Sequence, residues 1–267
     1  LIPQLTQRQQ TFDLLGTSAG AWRLACYAQQ DALAAHQRLT QAYIDQSYSA
    51  KPSADEILAS CRQMVNSMLG DRGAEEVLQH EHARLHLITT QCYGLAAKQQ
   101  RLWQGLGFML AALGNLVSRK SLGFHFTRIV LHHPKQKPPL MSSKDLPSRY
   151  QAIAEDRVAD SLLSTGCIPV LTKGVEDIAG KGLYQDGGIT DYGFDLPFKP
   201  EQGFVLYPHF SHIPAPSWFD KSLKWRKPKL DNYTRIILLV PKQKFIASLP
   251  YGKIPDRNDF VKLSDKE

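Results

Sequence analysis

The chain has 267 residues, 43% of them hydrophobic and 21% charged, with a formal net charge of +7. That balance excludes a disordered or collagen-like polymer and leaves enough chain to bury a sizeable core. It also lacks an apolar run of the ~20 residues that a membrane-spanning helix needs: the best stretch, Leu102 to Val117, is interrupted by Gln104 and Asn115.

Thr11 to Leu15 reads as a short buried strand. From Ala21 to Tyr43, small apolar residues at helical spacing, including Leu24, Ala28, Ala35 and Leu39, predict one long helix packed closely on a sheet. Ser53 is placed to cap a second helix over Ala54 to Leu69, which "GDRG" closes before a short helix to His80. Leu85 to Thr90 is β-branched and alternating, hence a strand. Leu102 to Val117 predicts a helix or helical hairpin, and "FTRIVLHH" a strand. Pro134 to Pro147 is loop-like, Tyr150 to Leu163 reads as helix, and "CIPVL", "GFVLY" and "TRIILLVP" read as strands, the last one buried. Alternation of this kind predicts an α/β architecture with a mostly parallel central sheet, in one domain over residues 1–267.

The segment "FDLLGTSAGAW" carries G-x-S-x-G, with Ser18 between Gly16 and Gly20. With a strand before it and a helix after it, the pattern describes a sharp turn that holds a serine hydroxyl out at its apex. The glycines are expected where a side chain would collide with a neighbouring element or could not adopt the backbone angles. A serine nucleophile needs a base for its proton and donors for the oxyanion formed on attack. The N–H of Ala19, at the helix start, is placed to be one donor. The base candidate is Asp186 in "LYQDGGITDYG", where Gly187 and Gly188 let the chain bend and project the carboxylate; read alone, Asp-Gly is a hairpin turn.

Together, "GTSAGAW" and "YQDGGI", in this order, resemble the patatin-like phospholipase family, and "LLSTGCIPVL" resembles that family's segment before the second motif. The resemblance runs from about Thr11 to Asp195. It implies a three-layer α/β/α sandwich and a serine lipid acyl hydrolase with Ser18 as nucleophile and Asp186 as its base. Reaction would pass through an acyl-enzyme, with a lipid or phospholipid as substrate and no metal or other cofactor. One departure stands out: the family's glycine-rich oxyanion loop has no counterpart in "LIPQLTQRQQTFDLLG". With no initiator Met, the expectation is a fragment lacking that segment. The alternative is a catalytically impaired lipid-binding or regulatory relative.

Other signals compete. His209 and His212 in "LYPHFSHIP" follow Asp186, which leaves open a Ser-Asp-His esterase with a histidine base. His82 and His86 stand four apart, but the strand beginning near Leu85 breaks the helical spacing a metal site would use, and no metal is expected. "GVEDIAGKG" misses the phosphate-loop pattern by one residue, with Gly182 where Ser or Thr is required. Trp218, Phe219 and Trp225 interleaved with Lys221, Lys224, Arg226, Lys227 and Lys229 suit peripheral contact with an anionic membrane surface. No nucleic-acid partner is expected. Leu102 to Val117 reads as core or as acyl-pocket lining. Four scattered cysteines (Cys26, Cys61, Cys92, Cys167) without a C-x-x-C pair fit a reducing, cytoplasmic compartment.

Overall fold

Strand β1 (Phe12–Gly16) turns at Thr17 into helix α1 (Ser18–Tyr27). The computed structural model describes residues 10–141, 143–255 and 259; residues 1–9, part of the stretch searched for a glycine-rich loop, lie outside that set. The single helix expected over 21–43 is two, because α1 ends and α2 (Ala32–Ile44) begins after Asp31. The Asp31 carboxylate accepts the Ala34 N–H at 2.9 Å, which favours a helix start over helix continuation. Apolar spacing runs through the break because both helices face the same core. Helix α3 (Ala54–Leu69) has the expected bounds, with Ser53 Oγ accepting the Glu56 N–H at 3.1 Å. Helix α4 (Gly73–Gln79) leads into β2 (Ala83–Cys92).

The remaining elements are α5 (Arg101–Val117), β3 (Phe126–His132), β4 (Ser148–Ala152), α6 (Val158–Thr165), β5 (Val175–Glu176), β6 (Leu183–Asp186), α7 (Gly188–Asp191), β7 (Val205–Pro208), β8 (Ile236–Leu239) and α8 (Gln243–Ser248). The central sheet has the order β4-β3-β2-β6-β5, with β1 also paired to β2. It is mixed rather than mostly parallel: β1–β2 and β3–β4 are parallel, while β2–β3, β2–β6 and β5–β6 are antiparallel. The reason lies in residues 93–125, which leave the sheet after Cys92 and return at the same end, where Tyr93 N–H bonds to His125 C=O at 2.9 Å. A crossover, which parallel pairing needs, does not occur there.

Three further expectations fail. Residues 148–152 form β4 on β3 instead of helix, and the helix starts only at Val158. "CIPVL" is a turn, with Val170 at φ 67°, and Pro169 has no N–H for a ladder. "GFVLY" and "TRIILLVP" do contain strands, but these pair with each other in a separate parallel ribbon whose residues alternate between half-buried and exposed, so the second is not the buried strand expected.

One face of the sheet (Leu85, Leu87, Ile129, Leu131) packs under α1, α2, α3, α4 and α6. The other, through Ile88, Val130, Cys92 and Phe126, packs against α5, Ile189 of α7, and the later residues Phe194, Leu196 and Phe219. The fold is therefore α/β, with both faces of a mixed sheet covered, an arrangement consistent with three layers.

A buried charge network ties α7 to this second face. Arg128, 2% exposed, grips Asp191 with two bonds of 2.6 and 2.7 Å and Asp145 with two of 3.1 and 3.0 Å. Arg119 bonds Asp145, Asp220 and the Thr190 carbonyl. Burial pushes the Asp145 carboxyl up, but the two guanidinium groups outweigh it and hold the group well below the usual carboxylate range. Removing one partner of such a buried pair strands the other charge, at about 3–5 kcal/mol. Arg128→Met is therefore expected to lose stability in that range in urea unfolding at neutral pH; a loss under about 1 kcal/mol would show the network to be dispensable.

Candidate active site

Parallel β1 and antiparallel β6 lie along the same edge of β2, β1 opposite Ala83–Leu87 and β6 opposite Thr89–Cys92. Their C-terminal ends therefore run toward each other and meet over Ile88. The mixed sheet is what brings Ser18, just beyond β1, to Asp186, the last residue of β6. Ser18 Oγ donates to Asp186 Oδ2 at 2.8 Å, across 168 residues of sequence.

Both ends are sterically specified. Ser18 has φ 51°, the left-handed region that a non-glycine residue enters only when its surroundings over-determine it. A Cβ on Gly16 would fall 2.6 Å from Ala21 Cα, so the turn closes that tightly only with glycine. A Cβ on Gly187 would fall 2.0 Å from the Ile88 carbonyl oxygen, so the Asp186 loop can cross the strand only there. Gly20 differs from expectation: a Cβ there meets nothing within 4 Å, so no clash selects glycine at that position.

Thr165, at the end of α6, pins the centre. Its hydroxyl donates to the Ile88 carbonyl at 2.5 Å and accepts the Ser18 N–H at 2.9 Å. The Gly187 N–H bonds the Thr165 carbonyl at 3.3 Å, and the Asp186 N–H bonds the Cys167 carbonyl at 2.9 Å. Since the Ser18 N–H is committed to Thr165 and the Ala21 N–H to the Thr17 carbonyl, the open donors at the start of α1 are the N–H groups of Ala19 and Gly20, which have no hydrogen-bond partner among the described residues; Ala19, next to Ser18, is the nearer in sequence. The partial positive charge of the helix N-terminus adds to it.

Asp186 is 8% exposed. Its Oδ1 accepts the Gly188 N–H at 2.7 Å and its Oδ2 holds Ser18. Burial raises its pKa to about 6, although both hydrogen bonds favour the ionised form. A carboxylate poised there is a stronger base than an exposed one and is still ionised at neutral pH.

The histidine alternative is not assembled. The donors on Asp186 are Ser18 and the Gly188 N–H, His209 Nδ1 lies 2.9 Å from both the Ser211 N and O, and its ring stacks on Phe210; neither His209 nor His212 bonds Ser18 or Asp186. His80 Nδ1 accepts the N–H groups of His82 and Ala83, and His86 is buried against Asp13 at 2.8 Å. No group of three or more His, Cys, Asp or Glu among the described residues could hold a metal ion. "GVEDIAGKG" forms β5 and the turn from it to β6, where Asp177 accepts the Gly182 N–H at 2.8 Å. The four thiols are free, and burial raises their pKa values. The 218–229 segment is partly internal: Phe219 and Leu223 are buried, Arg226 bonds the Asn115 carbonyl, and Lys221 sits over the Tyr192 ring. Two open concavities lie elsewhere, one of about 400 Å³ near Gln29 and Gly73 and one of about 700 Å³ near Met141 and Arg235, and neither touches the dyad.

Sequence reasoning missed Thr165 and the Arg128–Asp191 pair. A lone arginine inside "FTRIVLHH" was the available signal, because a charge in a buried strand requires buried carboxylates nearby. Thr165 had no such signal. No family model, curated protein or solved structure matches the chain.

The raised Asp186 pKa makes a stability prediction. A carboxyl that titrates near 6 when folded and near 3.8 when unfolded contributes stability that is full below about pH 3.8 and lost as pH rises through about 6. Asp186→Asn keeps an acceptor for Gly188 without the buried charge, so at pH 8 it should be the more stable form by about 3 kcal/mol, with the advantage gone at pH 4. Thermal melts at the two pH values check it; an equal or lower melting temperature for the variant at pH 8 contradicts the assigned burial.

Proposed function

We propose that the chain is a serine-dependent lipid acyl hydrolase of the phospholipase A or esterase type, built on a patatin-like three-layer sandwich. The observation that carries the reading is the 2.8 Å bond from a left-handed Ser18 to a buried Asp186. Strain, burial and a perturbed pKa concentrated in one residue pair mark a functional site more often than a structural one. The G-x-S-x-G and D-G-G motifs point to the same family of chemistry. Helices over one sheet face and α5 over the other support the layered fold.

In this reading Asp186 Oδ2 takes the Ser18 proton while Oγ attacks the ester carbonyl carbon. The carbonyl oxygen becomes an oxyanion at the start of α1, within the field of Ala19 N–H. As the tetrahedral intermediate collapses, the ester C–O bond breaks and the alcohol or lysolipid leaves with the proton held on Asp186. Water then enters and Asp186 removes its proton as the hydroxyl attacks the acyl carbon; on collapse the bond from that carbon to Ser18 Oγ breaks, Asp186 passes the proton to Oγ, and the fatty acid leaves. The Gly188 N–H on Oδ1 orients the carboxylate so that Oδ2 faces the serine throughout. A dyad places the whole base role on one carboxylate, which is why the raised pKa belongs with this mechanism.

Hydrolysis of a p-nitrophenyl acyl ester and of a phosphatidylcholine by purified protein tests the proposal. Ser18→Ala and Asp186→Asn should each drop activity by at least about a thousandfold, while His209→Ala and His212→Ala keep it. Activity should rise with pH with a midpoint near 6, as Asp186 ionises. A folded, soluble protein with no Ser18-dependent hydrolysis of either ester would instead support the non-catalytic lipid-binding reading.

A further inference from the structure

Helix α5 is amphipathic in the wrong sense for a helix on a protein surface. Gln104 and Asn115 lie on its buried side with Gly107, Phe108 and Ala111. Leu102, Met109, Leu110, Leu113, Leu116 and Val117 point outward, between 47% and 89% exposed. These positions follow the i, i+3, i+4, i+7 spacing of one helical face, so they form a continuous apolar stripe instead of scattered exposures. Trp103, half exposed, sits beside it. The stripe is therefore neither the core nor the enclosed pocket lining expected of this sequence.

The stretch of chain that carries the stripe has charge of one sign, and an exposed acid bonded to it from elsewhere is Glu176, on Gln99 at 3.0 Å. No Asp or Glu occurs from His82 to Lys144, and Lys98, Arg101 and Lys120 stand exposed at the two ends of α5. A second copy of this chain is a poor cover for such a face. An isologous contact would set cation against cation: each against its equivalent if the helices paired parallel, and Lys98 and Arg101 against Lys120 if antiparallel. An anionic lipid surface fits both features, since apolar side chains and a tryptophan enter the headgroup–acyl boundary while flanking Lys and Arg meet lipid phosphates. Among the described residues no helix is long and apolar enough to cross a membrane, so α5 would lie in the interface plane.

We infer that the outward face of α5 is a docking surface for an anionic lipid bilayer, flat against the interface, with Lys98, Arg101 and Lys120 at headgroup level. The buried side of the same helix connects to the dyad. Gln104 accepts the Val170 N–H at 2.6 Å and donates to Gln185 at 3.2 Å, next to Asp186. Docking thus presents the 168–171 turn, with its exposed Ile168, Val170 and Leu171, on an element fixed to α5. The inference rests on α5 alone and stands whether or not Ser18 is a nucleophile.

Flotation with phosphatidylcholine vesicles, with and without phosphatidylglycerol, tests it on the full chain carrying Ser18→Ala, which removes hydrolysis as a variable. The parent should float with the phosphatidylglycerol vesicles and lose most of that binding in high salt. Leu110→Glu with Leu113→Glu should weaken binding at least tenfold with an unchanged melting temperature, whereas Ile237→Glu, on the exposed β7–β8 ribbon, should not. Independently of those variants, brominated lipid should quench a fluorescence component that Trp103→Phe removes. Undiminished flotation of the α5 variant, or a Trp103 signal untouched by brominated lipid, overturns the inference. So does a lipid-free dimer that the α5 variant dissociates while the parent fails to float, which would assign the face to a second copy.

Discussion

Everything about the candidate site depends on two strands ending head to head over one residue of a third. β1 and β6 share the edge of β2 but run in opposite senses, and they stop on either side of Ile88. The Ile88 carbonyl is the fixed point: Thr165 bonds to it, and Gly187 must lack a Cβ to pass it. With the backbone fixed there, Ser18 and Asp186 have little freedom except to face each other. A carboxylate in that place is shielded from water by the same convergence, and this raises its pKa toward the value useful to a base.

The elements carrying these residues were legible in proportion to how local their signals are. Ser53 and the Asp55–Glu56 turn announce α3 because a cap and its helix lie within four residues. The elbow is similarly local, since Gly16, Ser18 and the run into α1 lie side by side. Asp31 carried an equally local cap signal, but uninterrupted alanine spacing masked it. What sequence periodicity could not convey is strand direction. Nothing between residues 93 and 125 says that the chain returns to the end of the sheet it left, so the antiparallel β2–β3 and β2–β6 pairings were hidden, and a parallel sheet was the default for alternating elements. The pairing of Ser18 with Asp186 rested on motif order rather than on any derivable contact.

The two faces of the sheet divide their work. Helices α1 to α4 and α6 form an ordinary apolar layer under one face. The other face has apolar clusters of its own, but it also buries charge, in the Arg128–Asp191–Asp145 network, and exposes apolar groups, on α5. A buried charge network and a continuous exposed apolar stripe both depart from the distribution that stability alone produces. The network holds α7, directly after the Gly187–Gly188 bend, so the charges position the loop that presents Asp186. The exposed stripe belongs to the helix whose Gln104 reaches Gln185. Departures from ordinary packing thus gather around the same few residues, as expected where function competes with stability.

The most direct test of this account is labelling of the purified chain with a fluorophosphonate, followed by peptide mass spectrometry to locate the adduct. An activated dyad predicts one adduct, on Ser18, that forms more slowly as pH falls through about 6 and is lost in Asp186→Asn. A folded protein that takes no label at Ser18, or takes it equally well with Asp186 replaced, contradicts the claim that this carboxylate activates this serine.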